Sequence, residues 1–211
     1  MKLVDLKMID FINQVDSKSP APGGGSVSAL ISSLGVSLTR MVGHLTTSKK
    51  KYAKLDEVTR LKFESHLTHL WVIKDELILL IDKDTNAFNE IMAAFKLPKE
   101  EHDIRVLAIE KATLNAIEVP YRVAVISLKA LELLPFILTY GNKQTISDIG
   151  VAALSLSTGI EGALFNVLIN LPGISNEDIK SNYKKEYESI LKKAHLIKDE
   201  LINKITSTLN S

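Results

Sequence analysis

Apolar residues recur along almost the whole chain at three- and four-residue intervals, with no convincing run of alternating apolar and polar positions among them. That spacing predicts helices over about 3–15, 25–46, 55–95, 104–140, 148–170 and from about 176 to 209. The breaks agree with it. Pro20 and Pro22 stop the first segment, and Ser48-Lys49-Lys50-Lys51-Tyr52 is a basic connection. Pro98 follows 55–95, residues 141–147 read as a loop, and Pro172-Gly173 ends 148–170. Ser175 or Asn176 is placed to cap the last helix. Segment 55–95 would be roughly 60 Å long, enough to cross a whole domain or to form a seam between subunits. Pro120 is expected to kink or split 104–140. The fold class is all-α: an up-and-down bundle of long, partly kinked helices, in a single domain over 1–211.

Two helices break their own pattern. In 77–95 the apolar seam is Leu77, Ile81, Phe88, Ile91 and Phe95, and Asp84 stands where the seam needs another apolar residue. A carboxylate there costs free energy unless it is paired or functional, and desolvation would raise its pKa toward the range of a general acid. The alternative is a structural aspartate paired across the bundle. Asp82 lies about 200° around the helix and faces elsewhere. In 148–170, Ala152, Ser155, Gly159, Gly162, Asn166 and Asn170 form one stripe of small or amide side chains. Such a stripe admits either a second helix or a flat ligand. Residues 149–171 also have the length and apolarity of a membrane span, with one charge at Glu161. Their Ser, Thr and Asn content and non-basic flanks favour a central bundle helix, so no membrane is expected.

The stretch Pro20-Ala21-Pro22-Gly23-Gly24-Gly25-Ser26 runs directly into a helix rich in small residues. Its glycines permit positive φ angles and expose bare N–H groups, which with the helix dipole make an anion site. The plainer reading is a tight turn before a closely packed helix. The stretch does not read as a nucleotide loop, because no Gly-Lys-Ser/Thr ending is present and no strand precedes it.

Composition narrows the chemistry. Lys+Arg is 26 against Asp+Glu 25, so nothing demands a nucleic acid or an acidic surface. Cysteine is absent, which excludes disulfides, thiol nucleophiles and thiolate metal sites. His66 and His69 share a face without the partners of a usual metal motif, so no metal is expected. Residues 1–19 carry no apolar signal core, and a cytoplasmic location is the expectation.

Ser19-Pro20-Ala21-Pro22-Gly23-Gly24-Gly25-Ser26 resembles the signature of the formiminotransferase-cyclodeaminase C-terminal family, also called the cyclodeaminase/cyclohydrolase family. The resemblance continues through Met41-Val42, Leu45-Thr46, Lys49-Lys50-Lys51-Tyr52, Leu80-Ile81-Asp82-Lys83-Asp84, Ala87-Phe88 and Lys96-Leu97-Pro98-Lys99. It ends with Val119-Pro120, Gly141-Asn142, Ser147-Asp148, Gly162-Ala163, Asn166-Val167 and Asn170-Leu171. Ser48 replaces an expected glycine, and 64–73 matches nothing in the pattern.

The resemblance implies an all-α folate enzyme that forms a homodimer, with a tetrahydrofolate derivative as substrate and no cofactor. The implied reaction closes 5-formimidoyl-tetrahydrofolate to 5,10-methenyltetrahydrofolate with loss of ammonia. Methenyltetrahydrofolate cyclohydrolase is the runner-up, and a non-catalytic helical dimer is the alternative outside enzymes. Asp84 takes the role of general acid, with Asp82 as second choice or orienting neighbour. Gly23, Gly24, Gly25 and Ser26 would bind or orient the folate, and Lys50 and Lys51 would attract its glutamates. Asn142, Asn166 and Asn170 would hydrogen-bond the pterin, and Asp148 would contact it or tune the acid. A separate formiminotransferase is the candidate partner. The pathway served, histidine breakdown or one-carbon supply, is left open.

Overall fold

A computed structural model describes residues 2–210. The described residues form helices and no strand: α1 Met8–Val15, α2 Gly24–Thr47, α3 Lys50–Ala53, α4 Glu57–Phe95, α5 His102–Tyr140, α6 Ile146–Asn170 and α7 Glu177–Leu209. Helices α2, α4, α5 and α6 pack as a ring in which each touches the next, and α7 lies against α5 and α6. One apolar cluster runs through all the long helices; Phe63, Leu77, Leu131, Leu156 and Ile160 are among its fully buried members.

The expected helices are present, with informative differences at their ends. Segment 3–15 is not one helix: a 3-10 turn at Leu3–Asp5 precedes α1, and Lys7 between them is extended. The turn is held down from outside, since the Leu3 N–H donates to Asp82 Oδ1 at 2.6 Å. The basic connection contains the short helix α3. Asp56 caps α4 by accepting from the Thr59 N–H, and Asn176 caps α7 by accepting from Asp178 and Ile179. Ser175, the other candidate cap, donates to Glu110 instead. Phe95, the end of the expected α4 seam, is 51% exposed.

Pro120 does not split α5, which also carries Pro135. A proline deprives the carbonyl four residues earlier of its N–H partner. For Pro120 that carbonyl belongs to Ala116, and the Asn170 side-chain amide donates to it at 3.1 Å. A polar side chain from α6 thereby repairs the ladder of α5.

The stretches 24–47, 102–140 and 143–173 are long and apolar enough to cross a membrane by length and composition. About half of each apolar window is buried inside the bundle.

Helices α2 and α6 run antiparallel and very close. A Cβ added at Gly159 would lie 2.0 Å from Ser32 Oγ and 2.9 Å from the Ser28 carbonyl oxygen. At Gly162 it would lie 2.5 Å from Ser28 Oγ, and at Gly35 3.0 Å from the Ala152 carbonyl oxygen. The small-residue stripe of α6 is therefore largely occupied by α2, with Asn166 at the end where α2 begins.

A candidate active site at the start of α2

The glycine run does not use the conformations that only glycine favours. No described glycine has a positive φ, Gly23 is extended at φ −120°, and α2 already begins at Gly24. Glycine is required here for close approach. A Cβ on Gly25 would lie 2.0 Å from Asp84 Oδ1 and 2.5 Å from its Cγ, and one on Gly24 would lie 3.0 Å from Asn166 Nδ2. The expected anion is thus present at the α2 N-terminus, and it is the chain's own Asp84. At Gly25 the reading in which the glycines hold a folate carboxylate is corrected accordingly, because the Asp84 side chain already fills that space; Gly24 faces the Asn166 side chain and Gly23 the Pro20 carbonyl oxygen.

Asp84 projects from α4 into the corner between α2 and α4 and is half-buried. Ser26 Oγ lies 3.0 Å from Asp84 Oδ2, 2.8 Å from the Ile81 carbonyl oxygen and 3.2 Å from Thr85 Oγ1. Burial pushes the Asp84 carboxyl above its ordinary value, and hydrogen bonds from the Ser26 hydroxyl and backbone N–H pull it partly back. No Lys or Arg forms an ion pair with it among the described residues. The cross-bundle pairing that would have made it purely structural is therefore missing. A carboxyl held this way, above its ordinary value, is suited to both giving and taking a proton.

Asp82 belongs elsewhere. Its carboxylate accepts the Leu3 N–H, and it turns away from Asp84, so the orienting role is corrected. Asn166 donates to the Gly162 carbonyl oxygen and stays beside Gly24. Asn170 spends its amide N–H groups on the Ala116 and Asn166 carbonyl oxygens, which gives it a structural role inside the bundle.

The other predicted residues lie at the far end of α2. Thr46 Oγ1 accepts the Asn142 N–H at 2.9 Å, which puts Asn142 about 33 Å from Gly24 along the helix axis. There Lys49, Lys50, Lys51, Lys143, Tyr140 and Asn142 line a cavity of about 640 Å³. Asp148 sits in the first turn of α6 at that same end. Within one chain, then, Lys50, Lys51, Asn142 and Asp148 are not neighbours of Asp84, and the single site expected from sequence is two separate places.

The model of the formiminotransferase-cyclodeaminase family matches residues 7–189. The chain belongs to this family. It is 34% identical over 195 residues to formimidoyltransferase-cyclodeaminase of Rattus norvegicus, covering 91% of this chain and 35% of that protein. The corresponding protein of Dictyostelium discoideum is 37% identical over 209 residues, covering 99% of this chain and 37% of its own length. Methenyltetrahydrofolate cyclohydrolase of Methylorubrum extorquens is 30% identical over 203 residues, covering 95% of this chain and 96% of that protein. The crystal structure of formiminotetrahydrofolate cyclodeaminase from Thermotoga maritima superposes with a TM-score of 0.78 at 25% identity, over 98% of this chain and 96% of that one. The chain spans about a third of the length of the formimidoyltransferase-cyclodeaminases it matches.

Sequence reasoning missed Thr85 at the candidate site and Lys143 in the basic cavity of this family member. Thr85 follows the odd aspartate directly, but nothing in one helix tells that its hydroxyl meets a serine from another. Lys143 is an isolated lysine in a loop, and it joins the lysines at 49–51 only through the meeting of α2 with α5; its Nζ donates to the Leu138 carbonyl oxygen.

Proposed function

We propose that this chain is a formimidoyltetrahydrofolate cyclodeaminase, closing 5-formimidoyl-tetrahydrofolate to 5,10-methenyltetrahydrofolate and releasing ammonia. The observation that carries the reading is Asp84: a half-buried carboxyl without a cationic partner, seated on glycine at the start of α2. The substrate's formimidoyl group is protonated near neutral pH. The p-aminobenzoate nitrogen attacks its carbon and becomes cationic, and a five-membered ring closes around a tetrahedral carbon. The Asp84 carboxylate takes the proton from that nitrogen. It then delivers the same proton to the amino group, which leaves as neutral ammonia with the electrons of its C–N bond once the ring nitrogens supply a pair to the carbon. One proton is moved and none is consumed, so a carboxyl with a raised pKa is well matched to both transfers.

The second reading is methenyltetrahydrofolate cyclohydrolase. It is favoured by the Methylorubrum extorquens protein, which this chain matches over nearly its full length. There Asp84 would take a proton from the water that attacks the same bridging carbon.

The reading includes two further parts. Lys50 and Lys51, with Lys143, attract the glutamates of a long folate tail. A second copy of the chain covers the apolar residues that α2 and α6 leave exposed, such as Leu34, Met41, Val151, Leu154 and Ile169.

Purified protein is to be supplied with 5-formimidoyl-tetrahydrofolate while methenyl absorbance and ammonia are followed together, with Asp84→Asn alongside. Both signals are expected from the wild type, with turnover lowered by a factor of about 10²–10⁴ in the variant. Loss of methenyl-folate without ammonia would assign the hydrolase. Activity retained in Asp84→Asn would remove Asp84 from the chemistry.

A further inference from the structure

Ser26 is fully buried, and its hydroxyl carries one hydrogen among three oxygen neighbours: Ile81 O, Asp84 Oδ2 and Thr85 Oγ1. Only one of these can receive that hydrogen at a time. The Ile81 carbonyl does not depend on it. It lies inside the uninterrupted helix α4, where the Thr85 N–H four residues on is its ladder partner. The Ser26 hydrogen can therefore leave Ile81 without stranding a buried acceptor.

We infer that Ser26 is the positioning residue that lets Asp84 work as both base and acid, by turning its hydroxyl between Asp84 and the Ile81 carbonyl, with Thr85 holding the pivot. The inference rests on the reading of Asp84 as the proton carrier. With Asp84 ionised, the Ser26 O–H points at Oδ2 and stabilises the charge. With Asp84 protonated at Oδ2, the carboxyl donates to Ser26 Oγ, and the Ser26 hydrogen turns to Ile81. The acid keeps a hydrogen bond in both states, and the change needs only a rotation about the Cβ–Oγ bond. The Thr85 hydroxyl meets Ser26 Oγ at 3.2 Å and holds its oxygen in place through either orientation. Gly25, with no side chain, leaves the room the carboxylate needs to reach Ser26.

The surroundings leave Ser26 as the main lever on this acid. The start of α2 brings glycines and Ser26, and α6 brings Asn166. The N-terminal turn, which carries the exposed Asp5, is tied to α4 at Asp82 through the Leu3 N–H. On the next flank of α4 lie the charges of the groove toward α5, namely Glu76, Lys83, Glu90, Glu118 and Arg122, of which Glu76 and Arg122 pair with each other.

The test is a carbon-13 carboxyl NMR titration of the full chain, with the Asp84 signal identified by its loss in Asp84→Asn. Removal of a hydrogen bond to the charged form in Ser26→Ala is expected to move the Asp84 midpoint upward by about one pH unit. Ser26→Cys, which keeps the size and donates more weakly, is expected to fall between the two, and it serves if the alanine variant does not fold. The rise of turnover with pH should move by the same amount. Thr85→Val is expected to shift the midpoint the same way by less, and Thr85→Ser to restore it. Midpoints in Ser26→Ala and Ser26→Cys that coincide with wild type would overturn the inference. A wild type that turns over neither folate would defeat the proposed function instead, and the titration would still read the Ser26–Asp84 coupling.

Discussion

At Asp84 the physical tension is between desolvation, which favours the neutral acid, and the Ser26 hydrogen bonds, which favour the charge. Desolvation prevails, so the pKa in the folded chain lies above that in the unfolded chain. Between those two values the folded state holds more protons, and stability falls as pH rises through the window. The contribution of Asp84 is fully present below about pH 4 and is lost as pH climbs past the folded-state value. Asp84→Asn removes the penalty for ionisation while keeping an oxygen that Ser26 can donate to. Urea unfolding of the two proteins from pH 3.5 to 8.5 is expected to show the variant gaining on wild type as pH rises. A constant difference across that range would mean that Asp84 is not the desolvated group. The substitution expected to stabilise the fold at neutral pH is the one expected to lower turnover by a factor of about 10²–10⁴, which separates a functional role from a structural one.

At the scale of the element, α5 is long and continuous because another helix supplies what Pro120 takes away. Asn170 donates to the Ala116 carbonyl oxygen with one N–H and to the Asn166 carbonyl oxygen with the other. Leaving a buried carbonyl without a partner costs about 1–3 kcal/mol. Asn170→Leu is expected to destabilise the fold by that amount, read by urea or thermal unfolding, and Asn170→Leu with Pro120→Ala is expected to recover part of the loss, since the alanine restores the N–H. An additive double variant would show that the two residues are not coupled in this way. Catalysis is expected to be spared, because Asn170 is engaged inside the bundle.

At the scale of the whole molecule, α2 separates an acid end from a basic end by about 33 Å. A single chain can bring both ends to one folate only if the glutamate tail is long, or if a second copy lies antiparallel and places its lysines beside the first chain's acid. Under the proposed function the lysines are assigned to the tail and not to the reacting carbon. Lys50→Glu with Lys51→Glu is expected to raise KM for polyglutamylated substrate by roughly tenfold, with kcat retained and the effect shrinking at high salt. Steady-state kinetics with mono- and polyglutamyl folates check it. An equal effect on both substrates would move the lysines out of the tail-binding role.

The helical fold and the position of its breaks are legible in sequence, because the 3.6-residue period of apolar side chains is a local property of each helix. Asp84 is legible for the same reason: a carboxylate in an apolar seam stands out without knowledge of its neighbours. Its company is not legible. That the glycine run exists to admit the Asp84 carboxylate, that Ser26 and Thr85 share a hydroxyl contact, and that Asn170 serves Pro120 all depend on which helices cross, and at what height. From the order of residues alone came the kind of element, the approximate extent of the long helices and the one misplaced acid. The partners and the division of the expected site into two ends came from the packing, because distances across a bundle are set by side-chain contacts between helices remote in the chain, not by the order of residues along any one of them.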